Sequence, residues 1–254
     1  MKTNKINVQN LNEHGFDVVR GSVSNKLINE FCDKYSPAYN LSESSLSYLP
    51  SRCEYLISAE IQNLLSLELF DNFAKGLNKK LVFHLIEARL GSSQIEWHRD
   101  LNVPTAKKNN LLGDNYYGAM IALGDVGENA GFFQLASGSH KIDIDFNIIN
   151  IENCTANPQN CYDYYKDLLK DVAKDLPIYQ FDGRCGDLIV WNGLAIHRGA
   201  KNTVPSTEWY TNLTWMRNSF FVHMTLLDLL DVSTPTVKLK YGDNLYLSAI
   251  CTDK

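Results

Sequence analysis

Along the first eighty residues the apolar positions recur mostly at helical spacing, and after Leu81 they fall into short β-like runs. Gly15 to Arg20 (GFDVVR) reads as a short strand. Ser24 then caps a helix over Asn25 to Tyr35, in which Leu27, Ile28 and Phe31 share one face. A second helix is predicted from about Ala59 to Leu77, where Ile61, Leu64, Leu65, Phe73 and Leu77 form an apolar stripe. The β-like runs that follow are LVFHLIEARL, QIEWHRDL, YYGAMIALGD, GFFQLASGS, DLIVWNG and TWMRNSFFVHMTL, separated by turn residues. Between Lys141 and Pro177 a polar segment rich in Asn and Asp interrupts them, with a helical stretch at Cys161 to Lys174. No repeat or Pro/Gly/Ser-rich linker divides the chain. The pattern predicts one mainly β domain over 1–254, with helices packed around an antiparallel sandwich or barrel. The insertion 141–177 is expected to be a lid, since long insertions in compact domains often cover active sites.

Composition narrows the partners. With 44% hydrophobic and 21% charged residues, the chain has enough apolar material for a packed core. A net charge of -5 argues against nucleic acid, whose binders present a concentrated basic surface. The N-terminal MKTNKINVQNLNEHG has no apolar stretch of the kind a secretory signal needs, and no run is long enough to cross a bilayer, so a cytoplasmic protein without membrane contact is expected. The six cysteines are scattered with no CxxC pair, which predicts free thiols rather than a zinc cluster or redox motif.

Candidate chemistry lies in the β-rich part. His98 and Asp100 stand two apart in QIEWHRDL, and in an extended strand residues i and i+2 project from the same face, so both can bind one ion. His197, at the end of the run Asp187 to Trp191 and the short loop after it, offers a third donor. Two imidazoles and a carboxylate on one face of an octahedral ion leave the opposite face open, as in non-haem iron(II) oxygenases. Three open positions accommodate a bidentate 2-oxo acid and dioxygen. Arg217 and Ser219 share a predicted strand face, and an arginine fork beside a hydroxyl suits the distal carboxylate of 2-oxoglutarate. A His-x-Asp triplet is weak evidence alone; the order of all these pieces is much more specific.

Taken together, LNEHGFDVVRGSVSNKLINEF, WHRD, AMIALGDVGENAGFFQLASGSHK and GDLIVWNGLAIHRGAKN resemble the phytanoyl-CoA dioxygenase family over most of the chain. The resemblance implies a double-stranded β-helix (jelly-roll, cupin-like) core, Fe(II) held by His98, Asp100 and His197, 2-oxoglutarate held by Arg217, and dioxygen as oxidant. It also implies oxidation of an unactivated C–H bond of a small molecule, with release of succinate and carbon dioxide. Asp100 favours hydroxylation or a related oxidation over halogenation, because a carboxylate fills the position that chloride would need. Three departures stand out: Ser137 where the family has proline, Arg198 where a small residue usually follows the distal histidine, and a gap of twenty residues between His197 and Arg217.

Other polar and aromatic residues carry weaker expectations. His84, His140 and His223 are expected to be structural or to support the ligands, with His223 the best pocket candidate through its shared face with Arg217 and Ser219. Trp97, Tyr116, Tyr117 and Trp191 are expected to pack, with lining of the cavity the sharper alternative. Arg99, Lys107, Lys108, Arg198 and Lys201 surround the ligand segments and suggest an anionic or polar substrate, with Arg99 pointing away from the metal but able to reach the rim; solvated loop charges are the plainer reading. Two other functions stay open at this point: a zinc-dependent hydrolase or isomerase using the same three donors, and a non-catalytic binding protein on the same fold.

Overall fold

A computed structural model of the chain describes residues 5–35, 63, 67–89, 95–100, 115–124, 133–144, 158–199, 219–226, 236–241 and 243–250. Its first element is a helix that the apolar spacing did not announce, α1 (Val8–His14). The Asn7 side chain accepts the N–H of Gln9 at its start, and Gly15 ends it with φ 87°, a left-handed conformation that glycine takes without strain. Strand β1 (Phe16–Val19) and helix α2 (Asn25–Tyr35) follow as predicted, and the Ser24 hydroxyl accepts the N–H of Leu27 as the expected cap. Helix α3 (Leu67–Gly76) is the C-terminal part of the second predicted helix; Ile61, Leu64 and Leu65 of its stripe lie outside the described residues.

The β-rich part runs β2 (Leu81–Arg89), β3 (Ile95–His98), β4 (Tyr116–Ala122) and β5 (Phe133–Ala136), then a 3-10 turn (Ser139–Lys141) and α4 (Pro158–Lys174). It continues through β6 (Ile178–Phe181), β7 (Leu188–Asn192), β8 (His197–Gly199), β9 (Ser219–Leu226), β10 (Thr236–Tyr241) and β11 (Leu245–Ile250). Seven strands form one sheet in the order β1-β7-β4-β9-β2-β11-β10, and four form a second in the order β3-β8-β5-β6. Among the described residues every pairing is antiparallel except β11 with β2.

Alternation along the strands creates the layers. Met120 and Ala122 of β4 and Ile189 and Trp191 of β7 bury themselves between the sheets with Phe133, Leu135, Phe181 and Ala195. Their neighbours Tyr117, Ala119, Ile121, Leu188 and Val190 pack on the other face against Phe31, Phe70 and Phe73 of the helices. Both faces of β4 and β7 are therefore buried, which is why these strands read as nearly unbroken apolar runs. Outside the smaller sheet, α4 packs Tyr165, Leu169 and Ala173 against Trp97, Ala136 and Ile196. The result is the mainly β, helix-flanked jelly roll that was expected, with four antiparallel strands (β7-β4-β9-β2) facing four others (β3-β8-β5-β6) as in a double-stranded β-helix. No helix among the described residues is long and apolar enough to cross a membrane.

Candidate metal centre

His98 ends β3 and His197 begins β8, directly opposite each other in the antiparallel ladder. Asp100 follows two residues after His98, in the bend beyond the strand rather than within it. The sequence-based expectation of a shared face is thus met by a strand end and a bend. One donor atom from each of the three residues lies within 4.8 Å of the others, and the two imidazoles sit 4.2 Å apart at 56°.

Backbone carbonyls settle which nitrogen of each ring faces the centre. His98 Nδ1 donates to the Glu96 carbonyl at 2.7 Å, and His197 Nδ1 donates to the Ala195 carbonyl at 2.9 Å. A carbonyl oxygen only accepts, so each ring carries its proton on Nδ1 and turns a lone pair outward from Nε2. His197 Nε2 then faces Asp100 Oδ1 across 3.4 Å. Two electron-pair donors in that position repel each other unless a proton or a metal cation joins them. Neighbouring ligands at bond lengths of 2.0–2.1 Å on an octahedral ion stand about 3 Å apart, so a small shift suffices for this pair to share one. The donor set of two imidazoles and one carboxylate fits Fe(II).

The Asp100 side chain is 9% exposed, and its surroundings keep it charged. In the metal-free site burial pushes its pKa upward, while the protonated forms of His197 and His223 pull it down, to well below the usual carboxylate range. Its Oδ2 accepts the indole N–H of Trp191 at 2.6 Å and lies 3.9 Å from His223 Nδ1. The Tyr116 hydroxyl is hydrogen-bonded to that same His223 nitrogen at 2.9 Å. Phe133 and Trp191 flank the His197 ring, each 5.3 Å away between centroids. His223 therefore does reach the site, while Trp191 contributes a directed hydrogen bond that a packing role did not foresee.

Arg99, between the two proximal ligands, turns out to be structural. It is 5% exposed and donates to the Ser139 and Ile142 carbonyls at 2.8 and 3.1 Å. It points away from the metal as expected, but these bonds remove it from any contact with substrate at the rim. The Ser139 hydroxyl in turn accepts the N–H of Ile196 at 2.8 Å. The Gly-Ser-His-Lys turn thus ties the segment of His98 and Asp100 to the residue before His197, a staple that sequence could not signal because its partners lie forty and fifty-seven residues away. Ser139→Ala is expected to leave the Ile196 N–H without its acceptor in a fully buried position and to cost about 1–3 kcal/mol. Urea unfolding of the metal-free protein checks this, and an unchanged midpoint would contradict the staple.

The remaining candidates divide clearly. Arg198 donates to Gln134 at 2.7 Å and its guanidinium lies 4.5 Å from the centre of the Trp97 ring, on the α4 side of the smaller sheet, so it faces away from the metal. Trp97 and Tyr117 pack, the latter edge-on to Phe73 at 5.2 Å. His140 Nε2 donates to the Asn12 carbonyl at 3.2 Å and latches α1 to the turn. The backbone of His84 sits where the β2–β9 register shifts between Phe83 and Leu85. Ser219 starts β9, its backbone opposite Arg89 and Ala122. Arg217, Lys107, Lys108 and Lys201 lie outside the described residues.

Comparison with known proteins agrees with this geometry. Among solved structures, the chain resembles the non-haem α-ketoglutarate-dependent epimerase SnoN from nogalamycin biosynthesis, with a TM-score of 0.59, 14% identity, and coverage of 94% of this chain and 95% of that one. The α-ketoglutarate-dependent carbocyclase SnoK of the same biosynthesis gives 0.57 at 16% identity, covering 86% and 82%. HygX from Streptomyces hygroscopicus, solved with nickel and 2-oxoglutarate, gives 0.57 at 14% identity, covering 88% of each chain. At these identities the likeness speaks for the fold. No curated protein sequence matches the chain. The model of the phytanoyl-CoA dioxygenase family matches residues 11–207, a span that contains His98, Asp100 and His197. The chain belongs to the phytanoyl-CoA dioxygenase family, whose members depend on Fe(II), 2-oxoglutarate and dioxygen, and it is a 2-oxoglutarate-dependent non-haem iron enzyme.

Proposed function

We propose that this enzyme hydroxylates, or otherwise oxidises, an unactivated C–H bond of a small metabolite, with His98, Asp100 and His197 holding the iron and Arg217 and Ser219 receiving the distal carboxylate of 2-oxoglutarate. The observation that carries the reading is the convergence of three donor atoms within 4.8 Å, with both imidazole tautomers set by backbone carbonyls. When bound, iron and co-substrate supply the oxidising power. The chain's own residues orient the donors, keep Asp100 charged and wall the centre with Phe133 and Trp191, which limits water there. With Arg99 and Arg198 committed elsewhere, the suggestion of an anionic substrate rests on Lys107, Lys108 and Lys201.

Anaerobic addition of Fe(II) and 2-oxoglutarate should give a weak visible charge-transfer band, and a substrate screen read as succinate formation should find the partner molecule. Mass analysis under isotopically labelled dioxygen then separates oxygen insertion from outcomes such as the epimerisation and carbocyclisation named for SnoN and SnoK, which leave no new oxygen in the product. Absence of both the band and succinate would defeat the reading.

The insertion 141–177 enters this proposal as the closing segment. Its helix α4 is packed on the back of the metal-bearing sheet, so closure would belong to residues 145–157, which lie outside the described residues. Limited proteolysis is expected to spare α4 in every state. Protection gained on adding substrate with Fe(II) and 2-oxoglutarate, without oxygen, should fall at 145–157, and identical cleavage in all states would end the lid assignment.

A further inference from the structure

We propose that Trp191 is a positioning residue that restricts Asp100 to one-oxygen coordination of the metal, by reserving Oδ2 for its own indole N–H. The proposal rests on the reading of His98, Asp100 and His197 as the ligand set. A carboxylate can bind a cation through one oxygen or both. Three single-atom donors leave three positions of an octahedral ion open, which a bidentate 2-oxo acid and dioxygen need in full. If Asp100 chelated through both oxygens, only two would remain. The choice between these modes is therefore a choice about whether the co-substrates fit.

The geometry points to a device that makes the choice. Asp100 Oδ1 faces His197 Nε2 at 3.4 Å, on the side where the donors converge, while Oδ2 is turned to Trp191 Nε1 at 2.6 Å. A bond of this length to a largely buried, ionised carboxylate is charge-assisted and stronger than a neutral one. The indole is held in place to make it. Trp191 is 1% exposed, and Phe133 packs against it with centroids 4.8 Å apart. His223 stands edge-on at 6.4 Å. Gly118, directly opposite Trp191 in the β4–β7 ladder, completes the seat: a Cβ there would collide with indole atoms Cε2 and Cζ2. Only glycine leaves the ring room to lie across β4 and reach Asp100. A buried tryptophan commonly finds some acceptor for its N–H; here the acceptor is the one oxygen whose release would change the coordination number.

The test uses the whole chain with Co(II) as a spectroscopic probe and with Fe(II) plus 2-oxoglutarate under anaerobic conditions. Trp191→Phe, and in parallel replacement of the indole by the isosteric benzothiophene, which keeps the shape but lacks the N–H, are compared with the parent after thermal melts establish that they fold. Both variants are expected to bind Co(II) within about threefold of the parent, with an altered d–d spectrum, and to bind 2-oxoglutarate at least about tenfold more weakly by titration of the charge-transfer band. Chelation through the freed Oδ2 adds a metal contact, which holds Co(II) affinity, but closes a position that the bidentate 2-oxo acid needs. An unchanged d–d spectrum and unchanged 2-oxoglutarate affinity in the benzothiophene variant would overturn the proposal. So would loss of Co(II) binding in a folded variant, which would make Trp191 a support for the carboxylate but not a determinant of its mode. Failure of the underlying ligand assignment looks different: the His98→Ala protein would then bind Co(II) as the parent does.

Discussion

Alanine at any one of positions 98, 100 or 197 is expected to reduce iron-dependent succinate formation by more than about a hundredfold, since removal even of groups that only support a ligand costs 10–100-fold in metal affinity or activity. The three positions should fail for related but separable reasons. His98 and His197 each present an Nε2 lone pair because a backbone carbonyl holds the proton at Nδ1, and alanine removes the lone pair outright. Asp100 contributes the negative charge that would draw a dication to the site, and in the metal-free protein its carboxyl is held well below the usual range and so is ionised at neutral pH. Asp100→Asn keeps the shape and the acceptor for Trp191, so comparison with Asp100→Ala divides charge from packing. All these variants should remain folded, because the two-sheet core is built from other residues, among them Met120, Leu135, Phe181 and Ile189. Co(II) titration with circular dichroism checks both halves of the expectation. Full activity in a variant would remove that residue from the ligand set.

Much of this site was legible because its residue types constrain it. A His-x-Asp pair and a later histidine in an apolar run are each common, but their order along a β-rich chain is not. The strands that read clearly, such as YYGAMIA and LIVWN, are those buried on both faces, where nearly every position is apolar. β8 is three residues, His-Arg-Gly, and has no pattern of its own; it is a strand because β3 and β5 supply ladder partners on both sides. β6 sits at the edge of its sheet with Ile178 and Gln180 exposed, so its alternation is weak. Helix α1 did leave signals, Asn7 before it and Gly15 after it, which seven residues of weak apolar content obscured.

What sequence could not show is which polar groups find each other. Arg99 and Arg198 both flank proposed metal ligands and carry the same charge, yet each is consumed by its own structural contacts, one by the Ser139 turn and one by Gln134 and Trp97. Trp191 and Trp97 are both buried tryptophans beside ligand segments, and only one of them reaches a ligand. Trp97 lies on the outer face of its strand against α4, whereas Trp191 lies between the sheets, where the missing side chain of Gly118 on another strand lets the indole through. Such pairings are set by register between strands distant in sequence.

Arg217→Ala is expected to weaken 2-oxoglutarate binding by about 2 to 5 kcal/mol, roughly thirtyfold to several thousandfold, because truncating one side of a desolvated ion pair leaves the other charge buried without its partner. Arg217 itself lies outside the described residues, two positions before the start of β9. Ser219, two residues on, begins β9, the strand between β4 and β2 in the larger sheet. Four residues further along the same strand, His223 reaches within 3.9 Å of Asp100. A strand rises about 3.3 Å per residue, so the four steps from Ser219 to His223 span about 13 Å, enough for a five-carbon dicarboxylate to run from the metal toward the start of β9. The alternatives for the carboxylate are fewer than the sequence allowed. Arg99 and Arg198 have structural partners, which leaves Lys201, with Lys107 and Lys108, as the competing cations around the ligand segments. A flexible ammonium lacks the fork that grips both carboxylate oxygens, so Arg217→Lys should recover only part of the loss. Charge-transfer titration of the Fe(II) proteins measures each affinity directly. An unchanged affinity in Arg217→Ala, together with a large loss in Lys201→Ala, would transfer the role to Lys201 and require a different alignment of the chain leading into β9.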